Sequence, residues 1–73
     1  MQNYECGKIK FKLAQILKDR NLSKNKLSIT SGVRFDTILR LCKGNLTRLD
    51  LDIVCRLCKT LDCSIEDLIE YEK

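Results

Sequence analysis

Phe35, Asp36, Thr37 and Arg40 are the residues of this chain whose types and spacing best suit recognition chemistry. They supply a ring, a carboxylate, a hydroxyl and a guanidinium, groups that make hydrogen bonds and apolar contacts rather than break covalent bonds. Arg40 suits a two-pronged contact to guanine O6 and N7, Asp36 can accept from cytosine N4, and Phe35 can meet a thymine methyl. Each has a plainer use. Asp36 serves equally well as a first-turn carboxylate that stabilises a helix N-terminus, and Phe35 can pack against the first helix. Around this group stand Ser23, Lys24, Arg34, Lys43, Asn45 and Arg48, cations and small polar groups of the kind that position a protein on phosphates without reading sequence.

Covalent chemistry has less to build on. The chain has no His, and no Ser or Cys stands beside an identifiable base, so the usual nucleophile and general-base arrangements are missing. No glycine-rich phosphate loop occurs. We therefore expect no enzyme and no cofactor. Five cysteines require a decision, and Cys55-x-x-Cys58 with Cys63 is the one grouping with metal-like spacing. That pair falls inside a helical pattern, while Cys6 and Cys42 are far off in sequence. The odd count also argues against a disulfide framework. The expectation is that the cysteines are core or surface thiols, packing as small hydrophobes, with no metal bound.

The elements that must position the polar groups run from Leu22 to Gly44. Ser23 is a good N-cap, so a helix is expected from Lys24 to about Ser31, with Leu27 as its apolar contact and Ser28 small enough for a close crossing. Gly32 stands where the chain must turn sharply into the next helix, and Val33 follows as an apolar plug. A second helix is expected from about Arg34 to Lys43, with Ile38 and Leu41 inward and Phe35, Asp36, Thr37 and Arg40 outward. Gly44-Asn45 stops it. Two helices hinged at one glycine, the second carrying the exposed polar groups, form a helix-turn-helix.

The pattern Lys24, Ser28, Gly32, Val33, Ile38, Leu41, with Leu22-Ser23 before it and Lys43-Gly44 after it, resembles the Cro and phage-repressor type (XRE-like) regulators. That family usually has Gln where Lys24 stands, Ala at Ser28, Ser or Thr at Arg34, and Glu-Asn in place of Cys42-Lys43. The downstream run from Arg48 through Leu61-Asp62-Cys63-Ser64 to Tyr71 resembles a small single-domain subgroup from bacteria or phages. The likeness covers roughly residues 9 to 71. It implies a lambda-repressor-like fold, sequence-specific binding of double-stranded DNA with helix 34–43 in the major groove, and transcriptional regulation, most simply repression.

The flanking segments complete an all-α, five-helix reading. Residues 1–7 are expected to be a flexible start, carrying Tyr4 and Gly7, and 8–73 to form one domain. Lys8-Ile9-Lys10-Phe11 alternates charge with apolar residues, as a short extended piece near 8 to 11 would, an edge that could pair with its twin in a dimer; Ile9, Leu13, Ile16 and Leu17 fit a helix face equally well, which would make this the frayed first turn of a helix. A helix should then run from about 12 to 20. In the loop before Leu49, Thr47 and Arg48 can approach a backbone. Leu49 or Asp50 opens a fourth helix with Leu51, Val54, Leu57, Cys58 and Leu61 on its apolar face. Ser64 with Asp67 opens a fifth, with Ile65, Leu68 and Ile69 inward. The absence of Pro and the scarcity of Gly agree with helices.

Charge is unevenly spread. Between Lys8 and Arg48 stand eleven Lys and Arg against Asp19 and Asp36, whereas from Leu49 onward three bases face seven acids. A basic half that contains the helix-turn-helix is the footprint expected of phosphate binding. No window is apolar enough to span a bilayer and no leader-like segment opens the chain, so a cytoplasmic protein without membrane contact is expected. One recognition helix covers few base pairs, so a homodimer on a palindromic operator is the expected arrangement. The competing reading is a protein-binding module, such as an antitoxin or anti-repressor-like partner, that keeps the fold and uses its apolar or acidic C-terminal surface.

Overall fold

Four of the five helices end in the same way, on a residue with left-handed backbone, and these stops give the chain its turns. The computed structural model describes residues 6–44 and 48–73, arranged as β1 (Lys8–Phe11), α1 (Leu13–Asp19), α2 (Lys24–Ser31), α3 (Phe35–Lys43), α4 (Leu51–Leu61), α5 (Ile65–Leu68) and β2 (Ile69–Glu72). The left-handed residues are Asn21, Gly32, Gly44 and Asp62. After α1, Leu22 N–H bonds to Leu17 C=O and Asn21 N–H to Lys18 C=O. After α4, Cys63 N–H bonds to Cys58 C=O and Asp62 N–H to Lys59 C=O. This paired closure satisfies carbonyls that a helix end would otherwise leave open.

Helix starts are equally local. Ser23 Oγ accepts from Lys26 N–H at 3.0 Å and Asp50 Oδ1 from Asp52 N–H at 2.9 Å. At α5, Asp67 Oδ2 accepts from both the N–H and the hydroxyl of Ser64, at 3.0 and 3.1 Å. Those bonds hold the Asp67 carboxyl below its ordinary value of 3.8, with the Ser64 backbone bond the largest cause. A folded-state value below the unfolded one adds stability that is complete above the unfolded value and is lost as pH falls through the folded one. Asp67→Asn should therefore show a shallower decline of unfolding midpoint than the parent as pH is lowered through and below 3.8. Thermal melts from neutral to strongly acid pH check this; parallel curves would remove the carboxylate's role.

The core is built from Leu13 and Leu17 of α1, Leu27 of α2, Val33 of the turn, Ile38 and Leu41 of α3, Val54, Leu57 and Leu61 of α4, and Leu68 of α5. The i, i+3 and i, i+4 spacings place one stripe of each helix inward. α3 packs against α1 and α2, and α4 packs against α2 and α5.

The structure departs from the sequence expectation at the chain ends and at Leu51. The extended piece at Lys8–Phe11 does form, but its partner is the chain's own C-terminal strand: β1 and β2 pair antiparallel, with Lys8 opposite Glu72, Ile9 opposite Tyr71, Lys10 opposite Glu70 and Phe11 opposite Ile69. One face of this ribbon carries opposite charges directly across from each other. The other is apolar, and Phe11 and Ile69 close it onto the core. α5 is correspondingly one turn long, and Ile65 is exposed rather than inward, because the chain must switch from helix to strand at Ile69 to meet β1. Leu51 likewise stands in solvent at the first position of α4, outside the buried stripe of Val54, Leu57 and Leu61. Gly7 N–H donates to the Tyr71 hydroxyl at 2.9 Å, and a Cβ on Gly7 would overlap the Glu72 carbonyl, so this glycine is fastened to β2. The expectations for Tyr4 and the rest of residues 1–5, and for Asn45 and Thr47, lie outside the described residues.

Candidate nucleic-acid interface

The turn between α2 and α3 is where the site is made, and two serine hydroxyls hold it. Gly32 carries φ +74°, a conformation that costs glycine little and other residues more. The next residue, Val33, is buried, so its backbone groups need partners away from water. Ser28 Oγ donates to Val33 C=O at 2.6 Å, and Ser31 Oγ accepts from Val33 N–H at 3.2 Å while donating to Leu27 C=O at 2.6 Å. Ser28 is thus more than small, and Ser31, the one buried polar residue among those described, went unnoticed in the sequence because a serine at the end of a helix carries no distinctive pattern.

α3 leaves the turn with Arg34 as N-cap in extended backbone and without a side-chain cap; the first-turn carboxylate of Asp36 complements the open amides instead. Arg34 Nε and Asp36 Oδ1 lie 3.6 Å apart, both well exposed. Ile38 and Leu41 point into the core, whereas Asp36, Arg40 and Lys43 are exposed and Thr37 is half-buried. Phe35 is 42% exposed and borders a groove that also contains Ala14 and Lys18 of α1 and Ser23 and Lys24 at the start of α2. Thr37 and Arg40 border a second groove with Arg48, Leu49, Asp50 and Ile53.

Of the residues expected to act together, the fold therefore gathers Phe35, Ser23 and Lys24 at one end of the α3 surface and Thr37, Arg40 and Arg48 at the other. Asp36 and Arg34 form a pair beside the turn, and Lys43 is exposed in the last turn of α3. Asn45 lies outside the described residues.

The thiols do not converge on this surface. All five cysteines are free, with Cys6 and Cys55 exposed and the others half-buried. Burial pushes the Cys42 thiol up, opposed by the Lys24 ammonium. Burial also raises Cys63, helped by its neighbour Cys58 and by Asp67 and opposed by Arg20. Raised thiols are poor nucleophiles at neutral pH. Cys58 and Cys63 occupy the two positions of the α4 closing motif that normally touch through apolar side chains, which accounts for their proximity. Among the described residues no three His, Cys, Asp or Glu side chains are grouped to hold a metal.

An exposed, polar α3 set on a glycine turn and flanked by cations is the geometry of a DNA-binding helix-turn-helix, and the chain belongs to the Cro/C1-type HTH DNA-binding domain family, whose model matches residues 12–73. Among solved structures it is similar to the crystal structure of transcriptional regulator VanUg, form II, with a TM-score of 0.74 and 26% sequence identity. That likeness covers 99% of this chain and 95% of the other. No curated protein matches it. No helix among the described residues is long and apolar enough to cross a membrane.

Proposed function

We propose that this protein is a transcriptional regulator that binds a specific double-stranded DNA site, with α3 in the major groove, and that it acts most simply as a repressor. The observation that carries this reading is the family match spanning the helix-turn-helix, together with an α3 whose outward groups are a hydroxyl, a carboxylate and a guanidinium. Arg40, Asp36, Thr37 and the exposed part of Phe35 read base edges. Ser23, Lys24, Arg34, Lys43 and Arg48, with Asn45 in the same set, hold the phosphates and fix the register. Ser23 can do so while capping α2, since its oxygen accepts from Lys26 N–H and its own proton stays available to a phosphate oxygen. The likeness to a transcriptional regulator supports the regulatory role. Two copies on a palindrome supply the specificity that one short helix lacks.

The test is selection from a random duplex library at two salt concentrations. The expected result is an enriched palindrome whose half-sites repeat at about one helical turn, with affinity falling steeply as salt rises. Retention of no sequence, together with salt-insensitive binding, would overturn the proposal in favour of a protein-binding module of the antitoxin or anti-repressor kind.

A further inference from the structure

Arg56 lies on α4, in the part of the chain where acids outnumber bases, and its side chain reaches the helix-turn-helix beside Arg34 and Thr37. Its Nε is held by Asp52 Oδ2 at 3.0 Å, one helical turn back. Asp52 is fixed in turn through its N–H, which donates to Asp50 Oδ1 at 2.9 Å. The guanidinium extends to the α2–α3 turn, where its Nη1 lies 3.3 Å from the place a Cβ on Gly32 would take. Gly32 is favoured by its positive φ, and a Cβ there would also press on the Arg56 guanidinium. The same groove is bordered by Val33, Arg34 and Thr37 from the turn and α3 and by Ile53 from α4.

Two physical reasons make this seat more than a surface contact. α2 ends without a basic residue in its last turn, so its partly negative C-terminus is unmatched within its own sequence. Arg56 brings a cation to that end from another helix. Moreover, α4 packs on α2, and the covalent link from α2 to α3, which also pack on each other, is only Gly32, Val33 and Arg34. A change of angle in that link is amplified along α3. Over a helix of nine residues, a tilt of about 10° moves the far end by about 2 Å, more than a base contact tolerates.

We infer that Arg56 is a positioning residue: held by Asp52, its guanidinium seats on Gly32 and fixes the angle at which α3 leaves the turn, and so fixes base selectivity without touching DNA. The inference rests on the DNA-binding reading for its consequence, but not for its geometry. An exposed ion pair contributes little to stability, so the effect should appear in selectivity rather than in folding.

Arg56→Met keeps most of the stem and removes the guanidinium; Arg56→Lys restores a charge without the planar fork. Affinity of parent and variants should be measured on the selected duplex and on a scrambled one, with thermal midpoints alongside. For Arg56→Met we expect an affinity loss of about twofold to fivefold on the selected duplex, little change on the scrambled one, and a midpoint near the parent's; Arg56→Lys should recover part of the loss. Equal losses on both duplexes, or none on either, would overturn the inference. Amide NMR without DNA gives an independent reading: Arg56→Met should shift and speed the exchange of the Phe35 to Arg40 amides, and an unchanged spectrum there would also overturn it. If the parent selects no duplex, the DNA-binding reading fails by itself and the amide measurement alone decides Arg56.

Discussion

Ile38→Ala is expected to lower the unfolding free energy by about 2–5 kcal/mol, the usual cost of cutting a large aliphatic side chain from a closed core. Ile38 has no exposed surface, and it sits in α3 where that helix meets α1 and α2. Its loss removes apolar area and leaves a void among rigidly capped helices, whose short turns at Asn21 and Gly32 leave little freedom to close it. A domain of this size has few kcal/mol to spare. Urea titration is the direct check, and a variant with an unchanged midpoint would show that α3 is held by its exposed face instead. Binding should fail together with folding, and stabilising osmolytes should restore both.

Two residues further along the same helix, the opposite signature is expected. Arg40→Ala should leave the urea midpoint near the parent's, because the Arg40 side chain is exposed and makes no hydrogen bond among the described residues. On the selected operator it should cost about 1–3 kcal/mol, confined to one base pair, if its guanidinium reads a guanine. Lys24→Ala should instead weaken binding to every duplex alike and flatten the salt dependence by about one counterion. Fluorescence anisotropy on the operator, on single-base variants and on scrambled DNA separates the two. Identical behaviour of both variants on all duplexes would discard the docking of α3.

The helices were legible because their ends are local chemistry. Ser23 and Ser64 can be picked out as caps, and Gly32 and Gly44 as stops, since the interactions that make them so span only a few residues. The inward stripe of α3, and that of α4 from Val54 onward, follow from helical period alone. What escaped was decided by distant partners. Ile69-Glu70-Tyr71-Glu72 alternates as a strand does, yet Ile65, Leu68 and Ile69 also fit a helix, and only the presence of β1 alongside selects between them. Leu51 fits the α4 stripe by period and is exposed because it opens the helix. At the candidate site, the outward groups of α3 were readable from spacing, whereas Phe35's division between groove and solvent was not. Asp52 and Arg56 have the spacing of a helical ion pair, but nothing in the sequence says that the arginine lies on Gly32.

The pairing of β1 with β2 bears on the order in which the molecule assembles and comes apart. Gly7 and Tyr71 meet across a separation of 64 residues, and closing a loop of that length costs chain entropy before any contact repays it. The ribbon is therefore expected to form last, once the helices have already brought the two ends together, and to open first. Its amides should exchange with solvent through local opening while those of α3 and α4 exchange only when the whole core melts. Because α3 packs on α1 and α2, release of the ribbon is expected to leave α3 in place, the paired ends acting as a latch on the chain rather than a support of the candidate site.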